Sequence, residues 1–235
     1  LPERFFDRHP FELSAEQKMH YLAMKTDMLT RMESGELIDA KNAISQMMRL
    51  QQITCGYLFK KGDKDRGIAD ALQRIDNARL DALQDVLAQR MDDSKVVIWA
   101  RFNEDVEEII ELLGKENCLE YYGPTPDKVR DRNKVRFKDP NDKARYFVGS
   151  PAAGGTGLNL QGNVRTVIYY SNSFDAIDRW QSQDRVHRIG ALHNITYFDL
   201  VARSTIDTKI LANLNAKKNL ADLAIDDIRQ VLLAA

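Results

Sequence analysis

A chain of 235 residues is long enough for one large domain, or for one domain with a helical appendage. Hydrophobic residues make up 43% of it and charged residues 29%, a balance typical of a folded globular protein rather than a disordered one. Because 34 basic residues face 35 acidic ones, a basic coat over the whole surface is excluded, although a local basic face is not. The longest apolar runs, such as residues 96–100, are about five residues, which is too short to span a membrane.

The cysteines and the start of the chain bear on the setting of the protein. Cys55 and Cys118 stand far apart, with no CxxC pair and no nearby histidine. This pattern argues against a disulfide scaffold and a zinc site, and it favours a reducing, intracellular setting. The chain starts at Leu1 without a methionine or a signal peptide, so we expect it to be part of a longer protein.

The first ninety or so residues are predicted to be helical. Ser14 and Gln17 form a capping-box pattern, after which apolar residues recur at helical spacing until about residue 34. A second helical repeat occupies residues 37–48 and a third residues 80–91. The charged, glycine-containing stretch between them, over residues 60–67, is predicted to be an exposed loop.

From residue 95 onward, short apolar runs alternate with helical repeats. Strand and helix alternating over about a hundred residues predict a parallel sheet with crossover helices, and hence an α/β fold. We place domain boundaries at 1–92 for the helical lead-in, 93–203 for the sheet and 204–235 for a helical tail. The predicted strands cover residues 96–99, 119–122, 146–150, 166–170 and 195–201, and the last crossover helix covers 175–189.

A glycine-rich segment follows the predicted strand that ends at Ser150. Its three glycines at positions 154, 155 and 157 would let the backbone approach a phosphate or a sugar closely. Residues 149–156 match the spacing of a phosphate loop, but Gly155 stands where that loop needs a lysine. The dinucleotide fingerprint also fails, because Leu160 stands where its third glycine is needed. Taken alone, the segment predicts a tight turn.

The most informative segment reads RWQSQDRVHRIG and ends at Gly190. On a helix, Gln181, Arg185 and Arg188 would form one stripe, with Arg188 in the last turn before Gly190. Two guanidinium groups at the end of a sheet suit an incoming phosphate, which is how an arginine finger works. The alternative is a solvated helix face on which Asp184 pairs with its arginine neighbours.

These two segments, in this order and about thirty residues apart, resemble the Swi/Snf family of superfamily-two helicase-like ATPases. Residues 153–160 (AGGTGLNL) are similar to motif V of that family and residues 181–190 (QSQDRVHRIG) to its motif VI. Residues 95–102 resemble motif IV, the first strand of the second lobe. The chain departs from the family where Ala191 replaces the final glutamine of motif VI, and where residues 170–173 replace the usual DWxP.

The resemblance covers nearly the whole chain and implies the second, C-terminal lobe of an ATP-dependent translocase on double-stranded DNA. The implied fold is a RecA-like parallel sheet with crossover helices, preceded by a helical protrusion and followed by C-terminal helices. In this family ATP binds with Mg²⁺ between two RecA-like lobes, and the first lobe carries the lysine phosphate loop and the acidic DExH motif. Neither motif occurs in this sequence. The resemblance thus implies half of a DNA-dependent ATPase, inactive alone, with its metal on the partner lobe.

Carried over by position, the resemblance assigns residues to the ATP site. Arg185 and Arg188 would be the arginine fingers that reach the γ-phosphate, and Gln181 would support that surface. No metal ligand is implied on this chain. The residues that would approach the nucleotide are Gly155, Gly157 and Asn159.

The resemblance also implies contacts to the DNA backbone, for which the candidates are Thr125, Ser150, Arg132 and Lys128. The local charge supports this assignment. Between residues 123 and 146, eight basic residues face four acidic ones, a local excess of four positive charges in a chain of net charge −1. Such an excess can follow a phosphate backbone, although a charged helix face often serves solubility alone.

Two other functions compete with the translocase lobe. One is a non-catalytic module of the same fold that binds nucleic acid or protein. The other, a dinucleotide-binding oxidoreductase, is disfavoured by the broken fingerprint. A lysine phosphate loop upstream of Leu1 would favour the translocase, and its absence would favour the module. The compactness of the lobe points to a bacterial or phage member of the family, and hence to a cytoplasmic location without a membrane.

Overall fold

A computed structural model of the chain describes residues 1–36, 40–62, 70–89, 93–154, 158–216 and 225–233. The described residues divide into two compact units. One unit combines Leu1–His9 with Leu83–Leu200 and holds most of a sheet. The other combines Pro10–Ala82 with Val201–Ala235 and is mainly helical.

Strands and helices alternate along the second half of the described chain. The strands are β1 (Arg4–Phe11), β2 (Tyr57–Lys60), β3 (Ala71–Arg74), β4 (Lys95–Trp99), β5 (Cys118–Tyr121), β6 (Tyr146–Gly149), β7 (Val164–Tyr169) and β8 (Ile195–Ala202). The helices are α1 (Ala15–Glu33), α2 (Ala40–Thr54), α3 (Ala78–Ala88), α4 (Asn103–Leu113), α5 (Asp127–Lys138), α6 (Ala176–Asp184), α7 (Ile206–Asn215) and α8 (Ile225–Leu233).

Six strands form one parallel sheet in the order β1-β8-β7-β4-β6-β5. In the centre Val97 of β4 pairs with Phe147 of β6 on one side and with Val167 of β7 on the other. Strand β1 runs in the same direction, because hydrogen bonds join Ile195 to Glu3 at one end of the β1–β8 pair and Arg203 to Phe11 at the other. The predicted α/β fold with a parallel sheet and crossover helices is confirmed.

The centre of the sheet is buried: all five residues of β4 are buried, and residues 96–99 form a continuous apolar run. A strand covered on both faces needs such a continuous apolar run, and this explains why the pattern was visible in the sequence. Aromatic side chains fill much of the core: the Trp99 and Phe147 ring centroids lie 6.0 Å apart, and those of Phe137 and Phe147 5.2 Å apart. Lys95 begins β4, and its ammonium group donates to the Phe137 carbonyl oxygen at 2.9 Å at the end of α5.

The mainly helical unit contains α1, α2, α7, α8 and the antiparallel hairpin of β2 and β3. The capping box at the start of α1 is present, with the Ser14 hydroxyl accepting from the Gln17 amide at 3.1 Å. Inside this unit the Arg79 guanidinium is buried and donates to the Asp207 carboxylate and, at 2.7 Å, to the Thr54 hydroxyl. Such buried charge pairs need hydrogen bonds on all sides to offset the loss of solvent.

The prediction of helices and one exposed loop over the first ninety or so residues missed three strands. Residues 4–11 form β1, and residues 57–60 and 71–74 form the hairpin. Strand β1 is largely exposed and reads RFFDRHPF, so it lacks the buried apolar alternation by which a strand is recognised. The five strands predicted after residue 95 are all present. The boundaries 1–92, 93–203 and 204–235 stay a prediction.

Part of the predicted pattern falls on positions outside the described residues. These positions are the start of the second helical repeat at 37–39, most of the charged loop at 63–67, residues 90–91 at the end of the third repeat, and residues 217–224 and 234–235 of the predicted helical tail. The predicted helix over 175–189 begins as expected, with Asp175 as its N-cap, but it ends at Asp184.

Candidate functional site

The two segments that carried the family resemblance meet in the structure. We call residues Arg185–Gly190 the arginine turn, because the chain leaves α6 there and forms consecutive turns. Leu160, at the end of the glycine-rich segment, donates its main-chain amide to the carbonyl oxygen of Arg185 at 2.8 Å. The Gln161 side chain donates to the carbonyl oxygen of Ile189 at 2.7 Å. Two segments far apart in sequence therefore form one surface.

Local backbone geometry sets the shape of the arginine turn. The Arg185 amide still donates to the Gln181 carbonyl oxygen at 3.1 Å, and Val186 is buried in the core. Gly190 ends the turn with φ of 103°, a conformation that residues with a Cβ rarely adopt. The expectation that Arg188 lies in the last helical turn is wrong, because the helix ends four residues earlier at Asp184.

The guanidinium groups of Arg185 and Arg188 are available for an external anion. Arg185 is half-buried and Arg188 is exposed. Over the described part of the chain, neither guanidinium has a hydrogen bond or an ion pair. The solvated-face alternative, in which Asp184 pairs with these arginines, is therefore not what the described residues show. Gln181 is exposed one turn earlier on α6.

The nucleotide-contact candidates are only partly described. Gly155 and Gly157 lie outside the described residues. Asn159 is half-buried, and its side-chain oxygen accepts from the Gln161 amide at 3.0 Å. Its side-chain nitrogen donates to the Gln161 side-chain oxygen at 3.1 Å, so Asn159 shapes the turn that presents Gln161 to Ile189. The structure thus brings Asn159 close to the arginine turn.

The arginine turn lies at the amino ends of the strands. Helix α6 begins after the carboxyl end of β7 and carries the chain back, and the turn then precedes β8. The His187 ring nitrogen Nε2 donates at 2.7 Å to the carbonyl oxygen of Pro2, just before β1. The sequence predicts these guanidinium groups only at the end of a sheet. Because the crossover helix returns the chain, they lie at the amino edge, opposite to the carboxyl edge where ligands of α/β sheets usually collect.

Two DNA-contact candidates do lie at the carboxyl edge. Ser150 directly follows β6, is half-buried, and donates its amide to the Tyr121 carbonyl oxygen at 3.0 Å. Thr125 follows β5 but is only 4% exposed, and its hydroxyl accepts from the Tyr122 amide at 3.3 Å. Thr125 thus stabilises its own turn, and Ser150 is the more accessible of the two.

Ion pairs reduce the basic excess around α5. Lys128 and Arg132 are exposed, one helical turn apart on the same face of α5, and have no ion pair within the described ranges. Four of the eight basic residues between positions 123 and 146 have acidic partners: Arg130 with Asp127, Lys134 with Asp131, Arg136 with Asp142 and Arg145 with Asp93. The basic side chains without an ion pair in the described residues include Lys128 and Arg132, the two that the family resemblance selected.

Sequence reasoning missed a buried cluster on the inner face of α6. Arg179 is 6% exposed and donates to both carboxylate oxygens of Asp199, at 2.6 and 2.9 Å. It also donates to the side-chain oxygen of Asn172 at 2.7 Å, and its guanidinium lies 3.3 Å from the centroid of the Tyr169 ring. The one available signal was Asp199 itself, the single charged residue of strand β8.

The described residues offer groups for a phosphate but no cluster for a metal ion. Two guanidinium groups without an internal partner fit a phosphate group. In the described ranges there is no cluster of three or more histidine, cysteine, aspartate or glutamate side chains that could hold a metal ion. Nor does any helix there combine the length and apolar character that crossing a membrane requires.

Comparisons with known proteins agree with this architecture. Residues 78–190 match the family model described as helicase conserved C-terminal domain. The putative protein p41 of Acyrthosiphon pisum secondary endosymbiont phage 1 is 26% identical over 228 residues, which are 93% of this chain and 45% of that protein. An uncharacterized ATP-dependent helicase of Mycoplasma genitalium is 24% identical over 223 residues, 94% of this chain and 21% of that protein.

Solved structures show the same fold. The C-terminal part of the Fun30 ATPase domain superposes with a TM-score of 0.74 at 22% identity, covering 99% of this chain and 96% of that one. The SWI2/SNF2 ATPase core of Sulfolobus solfataricus in complex with double-stranded DNA gives a TM-score of 0.72 at 21% identity, covering 100% of this chain and 51% of that one.

Residues 78–190, just under half of the chain, thus match the helicase conserved C-terminal domain, and the fold is that of a RecA-like lobe. The matched relatives and solved structures support a C-terminal lobe of the Swi/Snf type. The chain spans less than half the length of the phage and Mycoplasma relatives.

Proposed function

We propose that the chain is the second lobe of a Swi/Snf-type ATP-dependent translocase on double-stranded DNA. The observation that carries this proposal is the arginine turn. Its two guanidinium groups lack internal partners within the described residues, while the main chain beneath them is held by Leu160 and Gln161. Recognition of an external phosphate requires such charged groups without internal partners, held on a fixed main chain.

In this proposal Arg185 and Arg188 stabilise the charge that develops on the γ-phosphoryl group of ATP. Each guanidinium offers a planar fork of donors and keeps its charge at any physiological pH. Arginine fingers of this kind contribute roughly 10³ to 10⁵ in rate. Gln181 supports this surface, and the residues that approach the nucleotide are Gly155, Gly157 and Asn159.

A second lobe is needed to complete the ATP site. The sequence has no GK[ST] triplet, so this chain lacks the lysine that normally reaches the β- and γ-phosphates. We therefore assign the phosphate loop and the Mg²⁺ ligands to an N-terminal RecA-like lobe of the same full-length protein. The chain alone should then show negligible ATPase activity. The chain covers about half of the Sulfolobus solfataricus ATPase core, which is consistent with such a division.

Contacts to the DNA backbone belong, in this proposal, to the carboxyl edge and to α5. Ser150 and Thr125 follow β6 and β5 at that edge, and α5 starts there and exposes Lys128 and Arg132. The DNA and nucleotide contacts of the lobe would then lie at opposite edges of one sheet. The double-stranded DNA in the Sulfolobus solfataricus complex supports this choice of ligand. The phage relative supports a cytoplasmic location.

The test uses a longer protein in which this chain follows its N-terminal lobe. Arg188→Ala should reduce ATP turnover by roughly 10³-fold or more, because the finger acts on the transition state, while DNA affinity changes little. Arg8→Ala, a change of an exposed arginine on β1, is the matched control and should leave turnover unchanged. Retained turnover in Arg188→Ala would refute the finger role. A longer protein that binds DNA but hydrolyses no ATP would instead support the binding-module alternative.

A further inference from the structure

We infer that Arg179 is a positioning residue: its pairing with Asp199 and Asn172 fixes α6 on the sheet and thereby holds the arginine turn in place. The inference concerns a side chain that touches neither proposed ligand. The positioning of the arginine turn is inferred from the described contacts alone, and only the predicted effect on ATP turnover rests on the proposed function.

The contacts around Arg179 leave its side chain little freedom. The two bonds to Asp199, at 2.6 and 2.9 Å, are parallel and bidentate, a geometry that lysine cannot reproduce. Asn172 accepts from Arg179 at 2.7 Å and donates to Asp199 at 2.9 Å, so it closes a three-residue ring of hydrogen bonds. The Tyr169 ring covers the guanidinium face at 3.3 Å. Each of these partners belongs to β7, to β8 or to the segment that follows β7.

Burial makes this pairing obligatory. Arg179 and Asp199 are 6% and 4% exposed, so loss of either partner would leave a charge without solvent or a counter-charge. Burial alone would lower the pKa of Arg179, but the Asp199 carboxylate raises it on balance. Arg179 therefore keeps its charge in the folded protein, and α6 cannot move away from the sheet without breaking its bonds to Asp199.

A second set of contacts fixes the part of α6 that lies between Arg179 and the arginine turn. The Tyr169 hydroxyl lies 2.7 Å from the Ser182 hydroxyl, one turn beyond Arg179 on the same helix. The Tyr197 hydroxyl donates to the Gln183 carbonyl oxygen at 3.4 Å. Helix α6 then ends at Asp184, so the first residue of the arginine turn follows directly. A tilt of α6 at Arg179 would displace Arg185 and break its bond from Leu160.

The Leu160 amide is the reporter for a test on this chain. Arg179→Lys keeps the charge but loses the bidentate fork and the ring contact. We expect the Leu160 amide to exchange its hydrogen roughly 10-fold faster in this variant, through local opening, with amides of β4 unchanged. Arg79→Lys alters the buried pair of the other unit and is the matched control, since it should leave the Leu160 amide protected. Unchanged Leu160 protection in a folded Arg179→Lys protein would overturn the inference.

A double variant separates positioning from stability. Replacing a buried ion pair by apolar residues often leaves a protein folded, so Arg179→Met with Asp199→Leu should retain a cooperative thermal transition. If the pair positions the turn, this folded variant still loses Leu160 protection. If the pair serves stability alone, protection at Leu160 follows the global unfolding free energy, and the inference fails.

The same variants measure the functional consequence in the longer protein. Arg179→Lys should lower kcat for ATP about 10-fold, with a change below about twofold in DNA affinity, because the fingers act on the transition state. Faster Leu160 exchange with an unaltered kcat would support the positioning of the turn and count against the proposed finger function. The two proposals can therefore fail separately.

Discussion

Arg179 and Arg185 lie six residues apart, yet the structure gives their guanidinium groups opposite environments. Arg179 is 6% exposed and bonded to both oxygens of Asp199, whereas Arg185 is half-buried and has no ion pair among the residues that the structure describes. Helix α6 ends between them, at Asp184. Arg179 therefore attaches the helix to the sheet, and Arg185 lies in the turn that follows this helix.

The Gln161 side chain is a second attachment of the arginine turn. Gln161→Ala removes the 2.7 Å bond to the Ile189 carbonyl oxygen, and we expect it to cost about 0.5–1.5 kcal/mol in unfolding free energy. Urea titration of the purified chain measures this difference. In the longer protein, ATP turnover should fall by more than this stability loss explains, because Arg188 adjoins Ile189.

The matched control for this change is Asn213→Ala. That substitution also deletes a bond from a side-chain amide to a main-chain carbonyl oxygen, at 3.1 Å to Lys209, but in α7. It should cost a similar free energy of unfolding and leave ATP turnover unaltered. Equal turnover in the Gln161→Ala and Asn213→Ala proteins would contradict a role for Gln161 at the turn.

The strands after residue 95 were predictable because their chemistry is local. Residues 96–99 of strand β4 form an unbroken apolar run, and the Ser14–Gln17 capping box needs only residues three apart. Strand β1 was missed because it is largely exposed, and its place in the sheet depends on β8, more than 180 residues away in the sequence. Tertiary pairing of this kind leaves no periodic pattern in β1 itself.

The residues of the candidate site were predictable from the sequence, but their position in the fold was not. The family resemblance selected Arg185 and Arg188, and the structure leaves both without internal partners in its described ranges. Their position at the amino edge follows from where α6 ends, at Asp184. Helical spacing alone predicted that this helix ends five residues later. Arg179 lay in the same segment and gave no signal, because its partners Asp199 and Asn172 come together only when β7 and β8 pair.

Gly149 is needed for packing between two strands. A Cβ built at this position would lie 2.3 Å from the Tyr121 carbonyl oxygen, a main-chain atom that cannot move away without disturbing β5. Gly149→Ala should therefore destabilise the chain by about 1–3 kcal/mol through overpacking. Gly123→Ala is the control, because its nearest neighbour would be the Asn103 side chain at 3.7 Å. Identical thermal midpoints for the two variants would show that β6 can shift without penalty.

The Cys118 thiol should be unreactive in the folded protein. Burial, and then the charge of Glu116, raises its pKa to about 12. At pH 8 the thiolate fraction is then on the order of 10⁻⁴, so alkylation by iodoacetamide should be slow and should quicken about tenfold per pH unit. Because the native state favours the neutral thiol, this contribution to stability is complete below about pH 8.5 and is lost as pH rises toward 12.

Peptide mapping by mass spectrometry after timed alkylation measures Cys118 separately from Cys55. The control is the same reaction in denaturant at pH 8, where both thiols should react at the rate of a free cysteine. Rapid labelling of Cys118 at pH 8 without denaturant would mean that the β5 region opens readily, against the burial of this side chain.

Lys128 and Arg132 supply the clearest test of the DNA surface, because their charges are exposed and unpaired within the described residues. Each phosphate contact that is lost should reduce the slope of log affinity against log salt by about 0.9, so the double change to alanine should reduce it by about 1.8. The effect should be the same for any duplex sequence, since phosphate contacts carry no base information. Lys18→Ala with Lys60→Ala removes two exposed charges from the other unit and controls for net charge. If both double variants change the slope equally, binding depends on overall charge, and α5 is not the surface that DNA contacts.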